Sequence, residues 1–268
     1  MKKNNVYLEN RKKEKRKVLF FQILVFFGFI LIWELASRFK IIDEFLFSSP
    51  YNIGKLLIQY IASNELFKHL GISVLETLIG LIIGTVIGLV IAIGLWWNKT
   101  LAKIFDPFLI VLNALPKTAL APILIIWAGT GIEGIVVVAM SISLILTIIT
   151  AYLDFSLVEE EKIKMLKSFK ATKWQILTKL VLPSNYPNIV SIIKINIGLT
   201  WVGVIVGEFL VSRAGIGYLI VYGSQVFKMD LVMMGVIVLA IVAFGMYEIV
   251  NVIEKKFRKK RGIKNYYE

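Results

Sequence analysis

Six long apolar segments constrain the fold of this chain more than any other feature. A helix needs about 20 apolar residues to cross a bilayer, and only helices and closed barrels satisfy their backbone hydrogen bonds inside lipid. The hydrophobic fraction is 57% and the mean hydropathy is +0.77, which predicts an all-α membrane protein with six transmembrane helices. The predicted spans lie at about 18–37, 70–95, 107–128, 132–153, 188–211 and 231–253.

The distribution of lysine and arginine predicts how these spans are oriented. Cytoplasmic flanks of membrane helices are enriched in both residues. With a cytoplasmic N-terminus, the inner segments are 1–17, 96–106, 154–187 and 255–268. These four segments hold 23 of the 31 basic residues. We therefore expect a multi-pass protein of the plasma (cytoplasmic) membrane with both termini cytoplasmic.

The same charge distribution defines the domain organisation and excludes one class of partner. The basic residues flank the apolar segments instead of forming one patch, so nucleic acid is not an expected partner despite the net charge of +13. The predicted parts are a basic tail at 1–17, a membrane domain at 18–253 that contains the loop 154–187, and a second basic tail at 254–268.

Composition argues against an enzyme and against a bound cofactor. The chain has no cysteine and a single histidine, His69, so it lacks the ligands for a metal site built from thiolates or from several imidazoles. It has no G-x-x-x-x-G-K-[ST] phosphate loop, so it is not expected to bind ATP. Its carboxylates are scattered and do not suggest a catalytic constellation at one membrane face.

The loop 154–187 is the most distinctive polar segment. Apolar residues recur at helical spacing at Ile163, Leu166 and Phe169. Lysines occupy the other face at Lys164, Lys167 and Lys170. A second amphipathic stretch begins near Trp174 and is expected to stop at Pro183. Two short helices with a break between them would offer a surface to a cytoplasmic partner; the alternative is a loop lying on lipid headgroups.

A ridge of small residues runs along the second span. Gly80, Gly84 and Gly88 are each four residues apart. Small residues at this spacing let another helix approach closely inside a membrane. The ridge predicts a packed bundle and carries no specific function.

Two ionisable residues inside predicted spans are candidates for the translocation pathway. Lys117 follows Pro116 and precedes Pro122, and two prolines this close predict a broken helix. The break with its lysine could form part of the pathway wall. Alternatively, it is a structural kink, and the amine of Lys117 lies in a cytoplasmic vestibule. Glu208 has two interpretations as well, a pathway group or an anchor for the segment Gly215–Gly217.

Two further charged residues in the spans are expected to have plainer roles. Glu76 is expected at the rim of the bundle. Lys194 is expected to extend its amine to the membrane surface.

Several of these stretches together resemble a known family. The loop ending in Trp174-Gln175-Ile176-Leu177 and Leu182-Pro183 is similar to the cytoplasmic loop of permease subunits of ABC importers. The flanking stretches 115–131, 207–210 and 214–219 resemble the nitrate, sulfonate, taurine and bicarbonate-like group. Relatives in this group also carry thiamine-precursor pyrimidines. The resemblance covers about Pro50 to Phe257.

The resemblance implies a type I ABC importer permease fold and a set of partners. The loop would be a coupling helix that inserts into a cytoplasmic ATPase, which binds and hydrolyses the ATP. A second permease copy, in a homodimer, would complete the pathway, an extracytoplasmic solute-binding protein would deliver the solute, and membrane lipid would surround the helices. The implied coupling residues are Lys164, Met165, Leu166, Lys167, Phe169, Lys170, Ala171 and Trp174.

The chain departs from the family pattern within this loop. The family usually reads Glu-Ala-Ala, three residues, then Gly. In that register this chain has Lys164-Met165-Leu166 and Lys170. The family glycine permits a tight turn between the two short helices, so Lys170 or Ala171 must form the turn here. An ATPase with a matching acidic groove would be one consequence of the added lysines.

Two rival classes remain open. A membrane component of the energy-coupling-factor type also contacts ATPases through cytoplasmic helices, although it lacks the Leu-Pro and Gly-Ile-Gly-Tyr context found here. A secondary transporter would be driven by an ion gradient, and it would usually show inverted repeats, of which we find none.

Overall fold

The computed structural model describes residues 2–260, and every regular element in that range is helical. In chain order the α-helices are α1 (Lys2–Arg38), α2 (Glu44–Phe47), α3 (Pro50–Ala62), α4 (Glu65–Trp97), α5 (Lys99–Ala114), α6 (Lys117–Ala128), α7 (Ile132–Ser156), α8 (Glu160–Ser168), α9 (Lys173–Ile176), α10 (Leu182–Ser184), α11 (Tyr186–Val211), α12 (Ile216–Gln225) and α13 (Met229–Lys260). A π-helical turn, Leu177–Val181, joins α9 to α10.

Five of these helices are long and apolar enough to cross a membrane without interruption. The five segments are Arg16–Arg38, Glu65–Trp97, Ile132–Ser156, Tyr186–Val211 and Met229–Lys256. The pair α5 and α6 makes a sixth span if its two arms are counted together. The prediction of an all-α membrane protein is therefore confirmed within the described residues, and the six predicted spans correspond to five continuous helices and one bent pair.

The third predicted span differs from expectation because it is not one helix. Its two arms meet at an angle of 100°, and the first arm begins at Lys99, well before position 107. The break falls at Leu115, whose ψ of 134° is extended. Pro116 disfavours helical geometry at the residue before it and supplies no backbone N–H. Pro122 lies inside α6 without ending it.

The centre of the bundle is formed by α4, α7 and α11, and small residues let these helices touch. A methyl group added at Gly80 would lie 2.9 Å from Ala139 Cβ, and one at Gly88 would lie 2.6 Å from Thr147 Cβ. One at Gly84 would overlap the side chain of Ser143. The glycine ridge of α4 thus lies directly against α7, which requires residues with no side chain.

A buried polar node ties the same three helices together. The side-chain amide of Asn196 on α11 donates to Thr85 Oγ1 of α4 at 3.0 Å and to Thr147 Oγ1 of α7 at 2.7 Å. All three residues are buried. Because lipid offers no competing hydrogen-bond partner, these contacts fix the register of the helices.

The outer elements cover the rim of this core. Helix α3 packs its apolar face, including Ile53, against α12 and α13. The proposed basic tails at 1–17 and 254–268 extend α1 and α13 as far as position 2 and position 260. Residues 1 and 261–268 lie outside the described part of the chain.

Candidate coupling and translocation sites

The loop between α7 and α11 contains two helices joined by a tight turn. Helix α8 ends at Ser168, and two backbone hydrogen bonds close its C-terminus. The N–H of Lys170 donates to Lys167 O at 2.9 Å, and that of Ala171 donates to Leu166 O at 3.1 Å. This pair of bonds is the Schellman motif that usually ends a helix with glycine.

Lys170 itself adopts the left-handed backbone conformation that this motif requires. Its φ is +58°, in a region where glycine is unstrained and other residues are disfavoured by about 1–2 kcal/mol. Lys170 therefore occupies both the sequence position and the conformation of the family glycine. The turn is preserved, and the lysine makes it strained.

The apolar side chains of α8 are not all buried on one face as predicted. Ile163 and Leu166 point toward the bundle and pack against the buried cluster that contains Phe155 of α7. Phe169 was expected on the same face, but it is 77% exposed because α8 has already ended before it. Met165 is also largely exposed, so Met165 and Phe169 form an apolar tip at the end of the loop.

Two of the three lysines expected on one face, Lys164 and Lys167, do share a surface, and Lys170 lies apart from them. Lys164 and Lys167 line a cavity of about 920 Å³ between α8 and the junction of α4 with α5. Lys164 also lies 3.4 Å from Glu160. Lys170 lies on the turn and is exposed. Lys170 therefore does not share the face of α8 that Lys164 and Lys167 form, and an ATPase with a matching acidic groove stays a prediction.

The second half of the loop is anchored in the core. Thr172 begins α9 with a capping box, in which its hydroxyl accepts from the N–H of Gln175. Ile176, Leu177 and Val181 are buried in a cluster with residues of α4, α7 and α11. These side chains connect the second half of the loop to the three central helices.

The second helical stretch does not stop at Pro183. It continues through the π-helical turn Leu177–Val181 to Ser184, and the break comes at Asn185. In the π turn the N–H of Leu182 donates to Leu177 O. Since the backbone bonding shifts by one residue just before the proline, its missing N–H is accommodated within the helix.

Glu208 is held in a dense set of hydrogen bonds at the start of α12. Its carboxylate accepts from Ser73 Oγ at 2.5 Å and from the backbone N–H groups of Gly217 at 2.6 Å and Tyr218 at 3.2 Å. Glu208 is only 1% exposed. A carboxylate at a helix N-terminus satisfies free N–H groups there. These contacts favour the anchoring interpretation over the pathway interpretation.

Sequence reasoning missed the residues that complete this cluster. Glu76 was expected at the rim, but it is 1% exposed and interacts with Glu208. His69 Nδ1 accepts from Gly215 N at 3.0 Å, and Ser73 Oγ accepts from Ile216 N at 2.7 Å. The positions 69, 73, 76 and 80 share one face of α4. Extending the glycine ridge toward the N-terminus of α4 would have found them.

Lys117 lies at the break between α5 and α6. Its ammonium group donates to Asn113 O at 3.2 Å and to Asn113 Oδ1 at 3.4 Å. A cation at this position compensates the carbonyl end of α5. The contacts of Lys117 and Glu208 involve different residues, so the structure does not join them in one site. Pro116 forms the break beside Lys117, and Pro122 lies one and a half turns into α6.

Lys194 does not extend to the membrane surface as expected. Its ammonium group lies 2.5 Å from Glu254 Oε2 and 3.0 Å from Asn251 Oδ1, both on α13. The side chains of Lys194 and Glu254 are 15% and 8% exposed. The ion pair satisfies the charge inside the bundle and ties α11 to α13.

Comparison with known proteins finds relatives along most of the chain. It is 22% identical over 249 residues to the taurine transport system permease protein TauC of Escherichia coli, covering 90% of each chain. It is 26% identical to the riboflavin transport system permease protein RibX of Chloroflexus aurantiacus, covering 84% of each. It is 27% identical to the formylaminopyrimidine transport permease protein ThiX of Halalkalibacterium halodurans, covering 73% of this chain and 77% of ThiX.

Solved structures share the fold. A chain of a bacterial alginate ABC transporter in complex with its alginate-bound periplasmic protein matches with a TM-score of 0.65 at 16% identity, covering 95% of this chain and 98% of that one. The MetNI methionine ABC transporter in an inward-facing conformation matches with a TM-score of 0.56 at 15% identity, covering 78% and 98%. The fold is thus that of type I ABC importer permeases.

The family itself is identified by a sequence profile. The profile of the binding-protein-dependent transport system inner membrane component matches residues 80–259, which include the glycine ridge, the loop with α8 and α9, and Glu208 with the start of α12. Membership of this family implies an ATPase and a solute-binding protein as partners. The chain belongs to the binding-protein-dependent transport system inner membrane components, the membrane-spanning permease subunits of ABC importers.

Proposed function

We propose that this permease carries a small solute of the sulfonate or taurine type, or a heterocyclic vitamin precursor, and that a partner ATPase drives it through the α8–α9 loop. The named relatives TauC, RibX and ThiX support these solute classes. The observation that carries the coupling proposal is the apolar tip, Met165 and Phe169, on a loop whose second half is anchored in the core by Ile176, Leu177 and Val181.

Exposed apolar side chains on a polar loop mark an interaction surface. Phe169 is 77% exposed. It comes directly before Lys170, the residue with the left-handed backbone conformation. Closure of the ATPase would press on this tip. The buried residues of α9 and the π turn would then move α4, α7 and α11 together as a rigid body.

The orientation and stoichiometry complete the proposal. In this proposal the α8–α9 loop and both termini lie in the cytoplasm, which the bias of basic residues toward these segments supports. A second copy of the chain supplies the other half of the pathway. Several apolar side chains of α5 are exposed in the single chain, including Phe105, Phe108 and Ile110. Their exposure supports contact between α5 and a helix of the second copy, in addition to contact with lipid. ATP is bound by the ATPase, and this chain itself requires no cofactor.

Lys117 is the candidate pathway residue that remains. It lies at the only sharp break in an apolar helix pair of the described chain, where irregular backbone needs a protein or water-filled environment. Lys117→Glu is expected to impair transport of an anionic solute without loss of assembly, because it reverses the charge beside the break. Normal transport by this variant would rule out the pathway role.

Coupling is tested by co-purification of the ATPase with the tagged permease. Phe169→Ser together with Met165→Ser should reduce the retained ATPase by at least about tenfold, since two apolar side chains leave the interface. Phe39→Ser is a matched control, because Phe39 is similarly exposed but lies in the predicted outer loop. Undiminished retention by the double variant would refute the proposed docking surface.

Orientation is tested independently by single cysteines. The chain contains no cysteine of its own, so each introduced thiol is the only target. In intact cells a membrane-impermeant maleimide should label Lys228→Cys but not Lys179→Cys; in inside-out vesicles the pattern should reverse. The opposite pattern would overturn the assigned orientation.

The rival classes predict other results. A secondary transporter would move solute in vesicles under an ion gradient with no ATPase present. An energy-coupling-factor component would co-purify with ATPases but would not need a solute-binding protein. Uptake that requires ATP and an added binding protein supports the importer alone.

A further inference from the structure

A basic cavity lies beside the α8–α9 loop and has no role in the coupling proposal. We call this cavity of about 920 Å³ the inner groove. Five lysines line it, with one carboxylate, Glu160, among its lining residues. The lysines are Lys99, Lys103, Lys164, Lys167 and Lys173. Five ammonium groups around one cavity create a strong positive potential that favours an anion.

The inner groove lies where two membrane helices end. It opens between Trp97, the last residue of α4, and Ser156, the last residue of α7. Trp96 and Trp97 both line it, and tryptophan is enriched at the level of lipid headgroups. The groove is therefore at the membrane surface, on the side assigned to the cytoplasm by the proposed orientation.

One lysine is already fixed in place. Lys173 Nζ donates to the carbonyl of Trp97, and it lies 5.9 Å and 5.2 Å from the ring centroids of Trp96 and Trp97. This contact joins the start of α9 to the end of α4. Lys99 and Lys103, on the first turns of α5, are exposed and make no ion pair within the described part of the chain.

The floor of the inner groove is apolar. Leu95, Phe155 and Ile176 line it and are buried. A site with ammonium groups at its rim and apolar side chains at its floor matches an amphiphile with a phosphate. The apolar tip of the loop, Met165 and Phe169, does not line the groove, so the groove and the ATPase surface are different faces of α8.

From these features we propose that the inner groove binds the phosphate headgroup of an anionic phospholipid of the cytoplasmic leaflet. Basic pockets between membrane helices on this side are suited to such headgroups. The bound phosphate would bridge Lys99 and Lys103 of α5 to Lys167 of α8. The lipid would thus hold the coupling loop against the α4–α5 junction and make coupling depend on the anionic lipid content of the membrane.

The test measures lipid retention by the purified full-length permease. The protein is equilibrated in micelles containing equal amounts of phosphatidylglycerol and phosphatidylcholine, and native mass spectrometry counts the lipids that remain bound. The wild type should retain phosphatidylglycerol preferentially. The triple variant Lys99→Gln, Lys103→Gln, Lys167→Gln should lose this preference by more than about tenfold, since each lysine near a headgroup contributes roughly fivefold.

Two matched variants separate a specific site from general charge. Lys179→Gln, Lys255→Gln, Lys256→Gln removes the same charge from the same predicted membrane face outside the groove, and it should keep the preference. Replacement of the three groove lysines by arginine should keep it as well, because arginine keeps the positive charge at each position. Equal loss in both glutamine variants, or no loss in the groove variant, would overturn the proposal.

Two further arms distinguish other occupants. Inorganic phosphate in excess over lipid should not displace phosphatidylglycerol; displacement would assign the groove to a soluble anion. Addition of the ATPase should leave the lipid bound; its release would assign the groove to the ATPase. The assay requires neither transport nor ATPase docking, so its result is independent of the proposed coupling, and it rests on the proposed orientation alone.

Discussion

Replacing Lys170 by glycine should stabilise the turn between α8 and α9. Lys170 has a φ of +58°, which costs a residue with a side chain about 1–2 kcal/mol relative to a right-handed conformation. Glycine removes that cost but gains freedom in the unfolded chain, which offsets about 0.4–1 kcal/mol. The net stabilisation of the closed turn is therefore about 0.5–1 kcal/mol.

Amide hydrogen exchange reports this change at the affected bond. The N–H of Ala171 is hydrogen-bonded to Leu166 O at 3.1 Å and exchanges only when the turn opens. A stabilisation of 0.5–1 kcal/mol corresponds to exchange slowed by about two- to fivefold, since 1.4 kcal/mol is a factor of ten. The comparison is made on the peptide that contains Ala171, after correction for intrinsic exchange rates.

Two control variants isolate the backbone effect. Lys170→Ala removes the ammonium group but keeps the strained conformation, so its exchange should match that of the wild type. Lys167→Gly places glycine in the last turn of α8, where helical residues lose up to about 1 kcal/mol, so exchange should be faster. Faster exchange in Lys170→Gly, or equal slowing in Lys170→Ala, would refute the reasoning from backbone strain.

Two further predictions concern the core of the bundle. Gly88→Leu should lower the thermal unfolding temperature strongly, because the new Cβ would lie 2.6 Å from Thr147 Cβ. Gly94→Leu is the control and should leave that temperature nearly unchanged, because a Cβ at Gly94 would have no heavy atom within 4 Å. Equal effects of the two variants would contradict the close packing of α4 on α7. Glu208→Ala should cost about 3 kcal/mol or more and expose the start of α12 to hydrogen exchange, because three donors around this buried carboxyl lose their acceptor. The exposed Glu161→Ala is the control, and unchanged exchange at Gly217 would show that Glu208 does not anchor α12.

The sequence predicted those features that depend on local composition and spacing. Apolar length located the five continuous spans within a few residues, since a helix must match the thickness of the bilayer. The gap between the predicted spans 107–128 and 132–153 holds a turn at Gly129, whose φ of +108° suits glycine.

The sequence could not predict features that depend on what surrounds a residue. Phe169 has the helical spacing of an inward residue, but α8 ends before it. Pro183 is a stop signal in an isolated helix, but the π turn accommodates it. In both cases the backbone bonding of a neighbouring turn decided the outcome.

The charged residues show the same division most clearly. Charge counts along the chain were enough to predict orientation, because that bias acts segment by segment. The partners of Glu76, Glu208 and Lys194 lie on other helices, up to 135 residues away in the case of Ser73 and Glu208. A buried charge is stabilised only by groups brought to it in space, so tertiary structure alone decided which charges anchor the bundle and which line the inner groove.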